Sequence, residues 1–166
     1  MAAFHPNEPG IEERASGGTV VVPTAEPGRR PVGPATLHRV PRFDDRRGTV
    51  VVNQAPDDLP FATTRMFRVL DVPRGEMRGD HAHRRCHQFI VALAGSVEVV
   101  VDDGRARWRT TLDSPDLGLH VPPMTWTIQT GFRPGTQVLV LASEPYDRAE
   151  YIEDRDEFDA LVGARP

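Results

Sequence analysis

The chain has 166 residues, a formal net charge of −4, 39% hydrophobic residues and 27% charged residues, which suits one compact domain with its own core. This balance gives no excess of positive charge for nucleic-acid binding. All 20 basic residues are arginine, so Schiff-base lysines and phosphate-loop lysines are excluded. The single cysteine, Cys86, excludes an intrachain disulfide. Because we find no signal-peptide pattern and no long apolar run, we expect a cytoplasmic protein.

Residues 1–35 are dense in proline, glycine and charge, and this composition predicts a flexible arm. Within the arm, only TVVVP at residues 19–23 has the pattern of a strand. We expect it to pair at a sheet edge or on a neighbouring subunit. Residues 36–166 are expected to form the single folded domain.

From Ala35 onward, short β-type runs are separated by turn signals. Asp103-Gly104 lies between two alternating runs and predicts a β-hairpin. Helical periodicity is confined to residues 147–163, and the plain interpretation of Tyr146 and Tyr151 is that they help to dock that helix. Many short strands with a short C-terminal helix predict an all-β antiparallel sandwich or barrel. The nine predicted strands are TLHRV (36–40), GTVVVN (48–53), TRMFRVLDV (64–72), CHQFIVAL (86–93), SVEVVVDD (96–103), RARWRTTL (105–112), LGLHV (117–121), TWTIQT (125–130) and TQVLVLAS (136–143).

The histidine-rich segment RGDHAHRRCHQ, residues 78–88, is the main candidate for a functional site. In an extended strand, residues two apart point to the same face, so His81 and His83 are expected to project together. His87 belongs to the opposite face from Gln88, so we do not expect the three histidines to converge. Histidine titrates near neutrality and is the usual general acid or base. A pair on one face suits the movement of a proton between adjacent carbon atoms.

A metal site is the alternative interpretation of this segment. An HxH pair followed after four residues by an acidic ligand is the first motif of metal-binding cupin barrels, and a second motif supplies a third histidine. In this chain Gln88 stands at the acidic position and Thr127 at the position of the third histidine, while His120 falls elsewhere on its strand. Two histidines and a neutral amide make a poor site for a divalent metal. We therefore predict no metal.

Three segments together resemble the nucleotide-sugar 3,4-ketoisomerase (WxcM-like) family. They are RGDHAHRRCHQFIVALAGSVEVVVDDG (78–104), TLDSPDLGLHVPPMTW (111–126) and VLVLASEPYDRAEYI (138–152). Members of this family are small metal-independent enzymes of deoxysugar biosynthesis that act on dTDP-4-keto-6-deoxyglucose. The resemblance implies a cupin-type antiparallel β-barrel or jelly roll. It also implies no cofactor and a homodimer with exchanged N-terminal strands.

The resemblance also implies roles for individual residues. His81 and His83 match the paired histidines that transfer a proton through an enediol, which moves the keto group from C4 to C3. Arg78 precedes this pair, and Arg47 in DDRRGTV matches an arginine-glycine pair of the family. We expect either arginine to neutralise the diphosphate or an enolate oxygen through charge-assisted hydrogen bonds. Gln88 is expected to orient a histidine or the sugar.

Several positions depart from the family pattern where the sugar is expected to bind. Phe67 and Arg68 stand where tyrosines are frequent, His120 replaces an aromatic residue, and Thr127 follows Trp126 in place of a histidine. We expect His120 and Trp126 to line the substrate pocket, although core packing is an equal alternative for the tryptophan.

These departures leave other functions open. One is a related cupin isomerase or epimerase that acts on another natural-product substrate. A second is a metal-dependent cupin enzyme, and a third is a catalytically altered cupin that binds a nucleotide sugar and leaves its C3 hydrogen in place.

Overall fold

The computed structural model describes residues 30–163. The predicted strand at residues 19–23 and most of the predicted arm lie outside the described residues. The elements of the described range are β1 (Arg30–Val32), β2 (Ala35–Arg39), β3 (Arg42–Asp45), β4 (Gly48–Val51), β5 (Arg65–Leu70), β6 (Arg78–His83), β7 (Gln88–Ala94), β8 (Val97–Asp102), β9 (Arg107–Leu112), β10 (Leu117–Val121), β11 (Trp126–Thr130), β12 (Gln137–Ala142), a 3-10 turn (Arg148–Glu150), β13 (Tyr151–Ile152) and α1 (Arg155–Gly163).

All nine predicted strands are present, with ends that differ by a few residues from the predicted ones. Strand β6 carries the histidine pair that was expected to lie on an extended segment. The remaining strands, β1, β3 and β13, have two to four residues each. Such short segments contain too few alternations to be recognised from sequence.

Two antiparallel sheets form the body of the fold. One has six strands in the order β1-β2-β10-β7-β12-β5, and the other has five in the order β13-β6-β11-β8-β9. Strands β3 and β4 form a separate hairpin. The predicted all-β antiparallel architecture with a short C-terminal helix is confirmed, in the jelly-roll arrangement of two facing sheets.

The main core lies between the two sheets. Alternate residues of each strand point inward, because side chains of a strand alternate between its faces. Fully buried core residues come from both sheets and include Ile90, Val99, Leu119 and Val140. Buried polar side chains, which include His83, Gln88 and Thr127, take the place of aliphatic ones in one part of these sheets. The candidate site lies there.

Two of the motifs that carry the family resemblance stabilise turns. In the segment TLDSPD, the carboxylate of Asp116 accepts hydrogen bonds from Ser114 and Arg39. The predicted hairpin joins β8 to β9, and its Asp103 side chain accepts from the backbone N–H groups of Arg105 and Ala106 at 2.8 and 2.9 Å. Gly104 occupies the left-handed region at φ 87°, which favours glycine.

The C-terminal segment is less helical than its sequence suggested. The predicted helix over residues 147–163 begins only at Arg155, and Tyr151 lies in strand β13. The helix begins there because Asp154 accepts from the backbone N–H of Glu157 at 2.9 Å, as an N-cap does. Phe158 and Val162, one turn apart, bury the inner face of the helix. Among residues 30–163, no helix has the length and the apolar content needed to cross a bilayer.

Candidate active site

The histidine pair lies on strand β6 of the five-stranded sheet, between β13 and β11. His81 and His83 project from the same face of β6, with ring centroids 4.9 Å apart and an angle of 88° between the ring planes. His81 is half-buried and His83 is buried. The same-face arrangement expected from strand alternation is therefore present.

A bulge precedes the pair. Across β6 and β11, Thr127 faces His81 but Ile128 faces Gly79, so Asp80 is an extra residue in β6. Gly79 and Asp80 both have positive φ, 85° and 47°, as a bulge often requires. A side chain on Gly79 would place its Cβ 2.8 Å from the carbonyl oxygen of Thr127, so glycine is required at this position.

Gln88 orients His83. Its amide nitrogen lies 2.9 Å from Nε2 of His83, and both side chains are buried. Because an amide nitrogen only donates, Nε2 is the acceptor and the imidazole proton resides on Nδ1. Nδ1 of His83 is buried and has no hydrogen-bond partner among the described residues. A buried donor without a partner costs about 1–3 kcal/mol, so the site holds an N–H group that is ready for a ligand oxygen.

Tyr151 covers both histidines, which the sequence did not reveal. It lies opposite His83 in the pairing of β13 with β6. Its ring centroid is 4.8 Å from that of His81 and 4.4 Å from that of His83. Tyr151 therefore faces the histidines from a strand, whereas the plain interpretation from sequence was only that it helps to dock the C-terminal helix.

Arg65 is the second site residue missed by the sequence analysis. Its guanidinium lies 5.3 Å from the ring centroid of Phe67 and 5.6 Å from that of Tyr146, and its Nη1 lies 3.5 Å from the hydroxyl of Tyr151. Nε of Arg65 is buried without a partner in the described part of the chain. The site therefore contains a positive charge held between two rings, next to a phenol.

Burial keeps both imidazoles neutral. Desolvation, together with smaller contributions from the neighbouring His81 and Arg65, lowers the pKa of His83 from 6.5 to about 3. Desolvation also lowers the pKa of His81, but a hydrogen bond to the backbone of Gly79 and the charges of Glu153 and Asp80 oppose this shift. At neutral pH each ring therefore offers one acceptor nitrogen and one N–H donor.

This pKa predicts how acid affects stability. Between pH 6.5, the ordinary pKa that His83 regains on unfolding, and its folded value of about 3, the unfolded chain binds a proton that the folded chain does not. The free energy of unfolding is therefore expected to be highest above pH 6.5 and to fall as the pH decreases. In the variant His83→Asn, the free energy of unfolding should fall less steeply between pH 6.5 and about pH 3. Urea denaturation at several values between about pH 4 and pH 8 measures both slopes, and parallel profiles would contradict a neutral buried His83.

Arg78 lies on the same face as the histidines. It is an exposed residue at the start of β6 and pairs with Gln129, two residues after Thr127. Arg78 and His81 are three positions apart in the sequence, so regular alternation would place them on opposite faces. The bulge at Asp80 reverses that alternation and brings Arg78 to the face of the pair.

Trp126 lies on the other face of β11, contrary to the expectation that it lines the sugar pocket. Its ring packs edge-to-face on Phe158 of α1, with centroids 5.4 Å apart. Its indole N–H donates to the carboxylate of Asp80 at 3.1 Å. Trp126 therefore contacts the bulge residue from the face opposite the histidines. This position agrees with the alternative that the tryptophan packs in the core.

His120 is also remote from the pair, contrary to expectation. It alternates with the core residue Leu119 along β10 and points to the outer face of the six-stranded sheet. There its Nε2 lies 2.9 Å from Nδ1 of His87. His87 thus diverges from His81 and His83, as the alternation predicted.

Arg47 and Arg68 are likewise outside the site face. Arg47 lies in the β3–β4 hairpin, where its largely exposed side chain pairs with Asp45 at 2.5 Å. Arg68 is exposed on the outer side of β5, because the inward positions of that strand are Arg65 and Phe67. Within the described part of one chain, Arg47 therefore does not lie beside the histidine pair, and its contact with the substrate stays a prediction.

Thr127 and Phe67 are the departures that do reach the inner face. Thr127 is buried opposite His81. Gln129, on the same face, has a buried Oε1 without a partner among residues 30–163.

Across this range, no group of three or more His, Cys, Asp or Glu side chains is arranged to hold a metal ion.

The chain was compared with known protein families and structures. The family described as FdtA: WxcM-like, C-terminal, matches residues 34–163. The chain belongs to this family. A curated relative from Aneurinibacillus thermoaerophilus, TDP-4-oxo-6-deoxy-alpha-D-glucose-3,4-oxoisomerase, is 39% identical over 118 residues, which cover 71% of this chain and 85% of the relative.

Solved structures agree with the assignment to the FdtA family. A 3,4-ketoisomerase from Helicobacter canadensis superimposes with a TM-score of 0.76 at 32% identity, covering 78% of this chain and 97% of its own. A second solved structure is a histidine-to-asparagine mutant of the 3,4-ketoisomerase QdtA from Thermoanaerobacterium thermosaccharolyticum, in complex with TDP-4-keto-6-deoxyglucose. It superimposes with a TM-score of 0.77 at 28% identity, covering 80% of this chain and 96% of its own. The sugar epimerase NovW from Streptomyces spheroides, at 18% identity and 0.67, with 81% and 76% covered, shares the fold.

Proposed function

We propose that this protein is an isomerase that moves the keto group of a TDP-linked 4-keto-6-deoxyhexose from C4 to C3. The observation that carries the proposal is the pair of neutral imidazoles on one face of β6, one of them oriented by Gln88. The curated relative acts, by its name, on TDP-4-oxo-6-deoxy-glucose. The reaction transfers one proton between adjacent carbons through an enediol, and it requires no net oxidant or reductant.

His81 is proposed as the base that removes the C3 proton, exchanges it with solvent and delivers a proton to C4. The C4 ketone acidifies this proton, and a neutral imidazole accepts it. The backbone of Gly79 and the charges of Glu153 and Asp80 all favour the protonated form of His81. The groups next to His83, which are His81 and Arg65, by contrast disfavour the protonated form of His83. His81 is therefore the better carrier of a carbon-derived proton.

His83 is proposed as a neutral hydrogen-bond donor to the ketone oxygen. Its low pKa keeps it uncharged, and its Nδ1–H is buried without a partner within the described range. Such a donor stabilises negative charge that develops on the C4 oxygen when the C3 proton leaves. Gln88 serves this role by fixing the proton on Nδ1.

Arg78 is proposed to bind the diphosphate of the substrate. Arg78→Ala is expected to raise KM about tenfold with a smaller effect on kcat, because hydrogen bonds to charged groups contribute roughly 1.5–3 kcal/mol. Steady-state kinetics on the TDP-sugar measures this change. Arg68→Ala, an exposed arginine on the outer side of β5, is the matched control and should leave KM unchanged. Equal effects of the two substitutions would mean that Arg78 is an ordinary surface residue.

We also propose a homodimer in which the N-terminal segments are exchanged. The edge strand β1 supports it, because β1 directly follows residues 1–29 and pairs only with β2 among the described strands. An open edge offers unpaired backbone groups to another strand. Light scattering of the full chain should give twice the mass of one chain, and a monomer mass would contradict the proposal.

The proposed reaction is tested with substrate labelled with carbon-13 at C4. Carbon NMR of TDP-4-keto-6-deoxyglucose incubated with the protein should show the labelled ketone signal replaced by that of a CH–OH carbon. Added EDTA should leave this conversion unchanged. A ketone signal that stays in place in the presence of folded protein would refute the proposed activity.

An epimerase is the second candidate. It is favoured by Phe67 and Thr127, which put a phenyl ring and a small hydroxyl on the inner face. An epimerase would exchange a ring proton with solvent but leave the ketone at C4. The carbon-13 experiment therefore separates the two functions.

A further inference from the structure

Tyr151 is the polar group closest to both histidines that the reaction described above does not yet use. Its ring lies over both imidazoles, and its hydroxyl lies 3.5 Å from Nη1 of Arg65. The side chain is half-buried, so the hydroxyl is at the boundary between the site and solvent. Tyr151 is therefore placed to contact a sugar that sits against the histidine pair.

The reaction requires proton movement between oxygens as well as between carbons. When C3 loses its proton, the C4 oxygen must gain one to give the enediol. When C4 is protonated, the C3 hydroxyl must lose its proton to give the new ketone. One group that first donates a proton to the C4 oxygen and then accepts one from the C3 oxygen returns to its starting state after each turnover. A hydroxyl can both donate and accept, as this relay requires.

The other inner-face side chains do not offer a free hydroxyl for this role. Phe67 has no polar side-chain atom. The hydroxyl of Thr127 lies 3.4 Å from the backbone carbonyl of Thr125, to which it donates. The amide of Gln88 is used by His83. Among the described side chains that contact the histidine pair or lie opposite it, the phenol of Tyr151 remains.

Resting on the proposed function, we propose that Tyr151 is a catalytic residue that carries a proton between the two sugar oxygens. In the first half-reaction, the C3–H electrons form the C3=C4 double bond, His81 takes the carbon proton, and Tyr151 protonates the C4 oxygen. In the second, C4 takes the proton from His81, and Tyr151 recovers a proton from the C3 hydroxyl as the C3 ketone forms. The guanidinium of Arg65 stabilises the phenolate that exists between these steps.

The test separates the two proton movements. Tyr151→Phe keeps the ring over the histidines and removes only the hydroxyl. Proton NMR of TDP-4-keto-6-deoxyglucose in D₂O gives two rates, the loss of the C3 proton and the formation of the 3-ketosugar. In the variant, ketosugar formation is expected to fall at least about tenfold more than C3 exchange, because the base remains and the oxygen relay is lost. Equal falls, or no fall, would overturn the proposal.

Two controls complete the experiment. Tyr146→Phe removes the same atom from an exposed tyrosine whose ring contact with Arg65 is kept, and both rates should be unchanged. Fluorotyrosine at position 151 keeps the ring and the hydroxyl and makes that hydroxyl a stronger acid. A proton-carrying hydroxyl predicts an alkaline limb of kcat that moves to lower pH, and an unmoved limb would overturn the role. A parent enzyme that forms no 3-ketosugar would refute the proposed function itself, independently of Tyr151.

Discussion

Replacement by asparagine is expected to lower the rate of keto transfer by about 10²–10⁴-fold at His81, the proposed general base, and by about 10²–10³-fold at His83, the proposed hydrogen-bond donor to the ketone oxygen. Asparagine keeps polar atoms in a similar volume but cannot accept and release a proton near neutral pH. His81→Asn removes the proposed carbon base, so exchange of the C3 proton should be lost together with isomerisation. His83→Asn removes the Nδ1–H that is proposed to donate to the ketone oxygen, so it should slow enolisation. Both rates are measured by NMR on folded protein.

His87→Asn is the matched control for these two variants. His87 is a half-buried histidine of the same segment, but it faces His120 on the outer side of the six-stranded sheet. Its replacement should leave the rate within about twofold of the parent, because surface changes away from a site have small effects. Near-full activity in His81→Asn or His83→Asn would remove that residue from the mechanism.

Phe158→Ala is expected to lower the free energy of unfolding by about 3–5 kcal/mol, the usual cost of deleting a buried phenyl ring. Phe158 is 0% exposed and packs on Trp126, Ala82 and Ile152 behind the histidine strand. Loss of the ring would leave a cavity between α1 and the five-stranded sheet. Urea denaturation of the parent and the variant measures the difference.

Leu161→Ala serves as the control for this stability prediction. Leu161 lies on the same helix, but it is 37% exposed, so its truncation should cost no more than about 1 kcal/mol. If the two variants were equally destabilised, the helix would not be anchored through Phe158. The support that α1 gives to the back of β6 would then have to come from other contacts.

Most of the fold could be predicted from sequence because the strands alternate clearly. Hydrophobic alternation and the Asp103-Gly104 turn were sufficient for nine strands and the hairpin. Strand β13 could not be found in this way. It has two residues, and its pairing with β6 joins segments about 70 residues apart. The helical pattern of the surrounding residues therefore led to the prediction of a helix at these two residues.

The histidine pair could also be predicted, but the surroundings of the pair depended on the bulge. A non-glycine residue with positive φ, such as Asp80, has no clear sequence signal. The bulge moves Arg78 to the inner face of β6. Trp126 lies on the opposite face, where its indole N–H donates a hydrogen bond to the bulge residue Asp80. Sequence similarity places these residues next to the site without showing which face each one occupies.

Motif residues outside β6 proved to be largely structural. Asp116 fixes the turn before β10, and Asp103 fixes the turn between β8 and β9. Asp147 caps the 3-10 turn by accepting from the backbone N–H of Ala149 at 2.9 Å. Tyr151 and Arg65, by contrast, contact the histidines or each other through long-range packing, which no local pattern encodes.

The most direct test of the account is proton NMR of TDP-4-keto-6-deoxyglucose incubated with the full chain in D₂O, with EDTA present. Proton transfer by the histidine pair predicts that the C3 proton signal disappears and that a 3-ketosugar with deuterium at C4 accumulates, at the same rate with and without EDTA. Persistence of the C3 proton in the presence of folded protein and bound substrate would contradict the account.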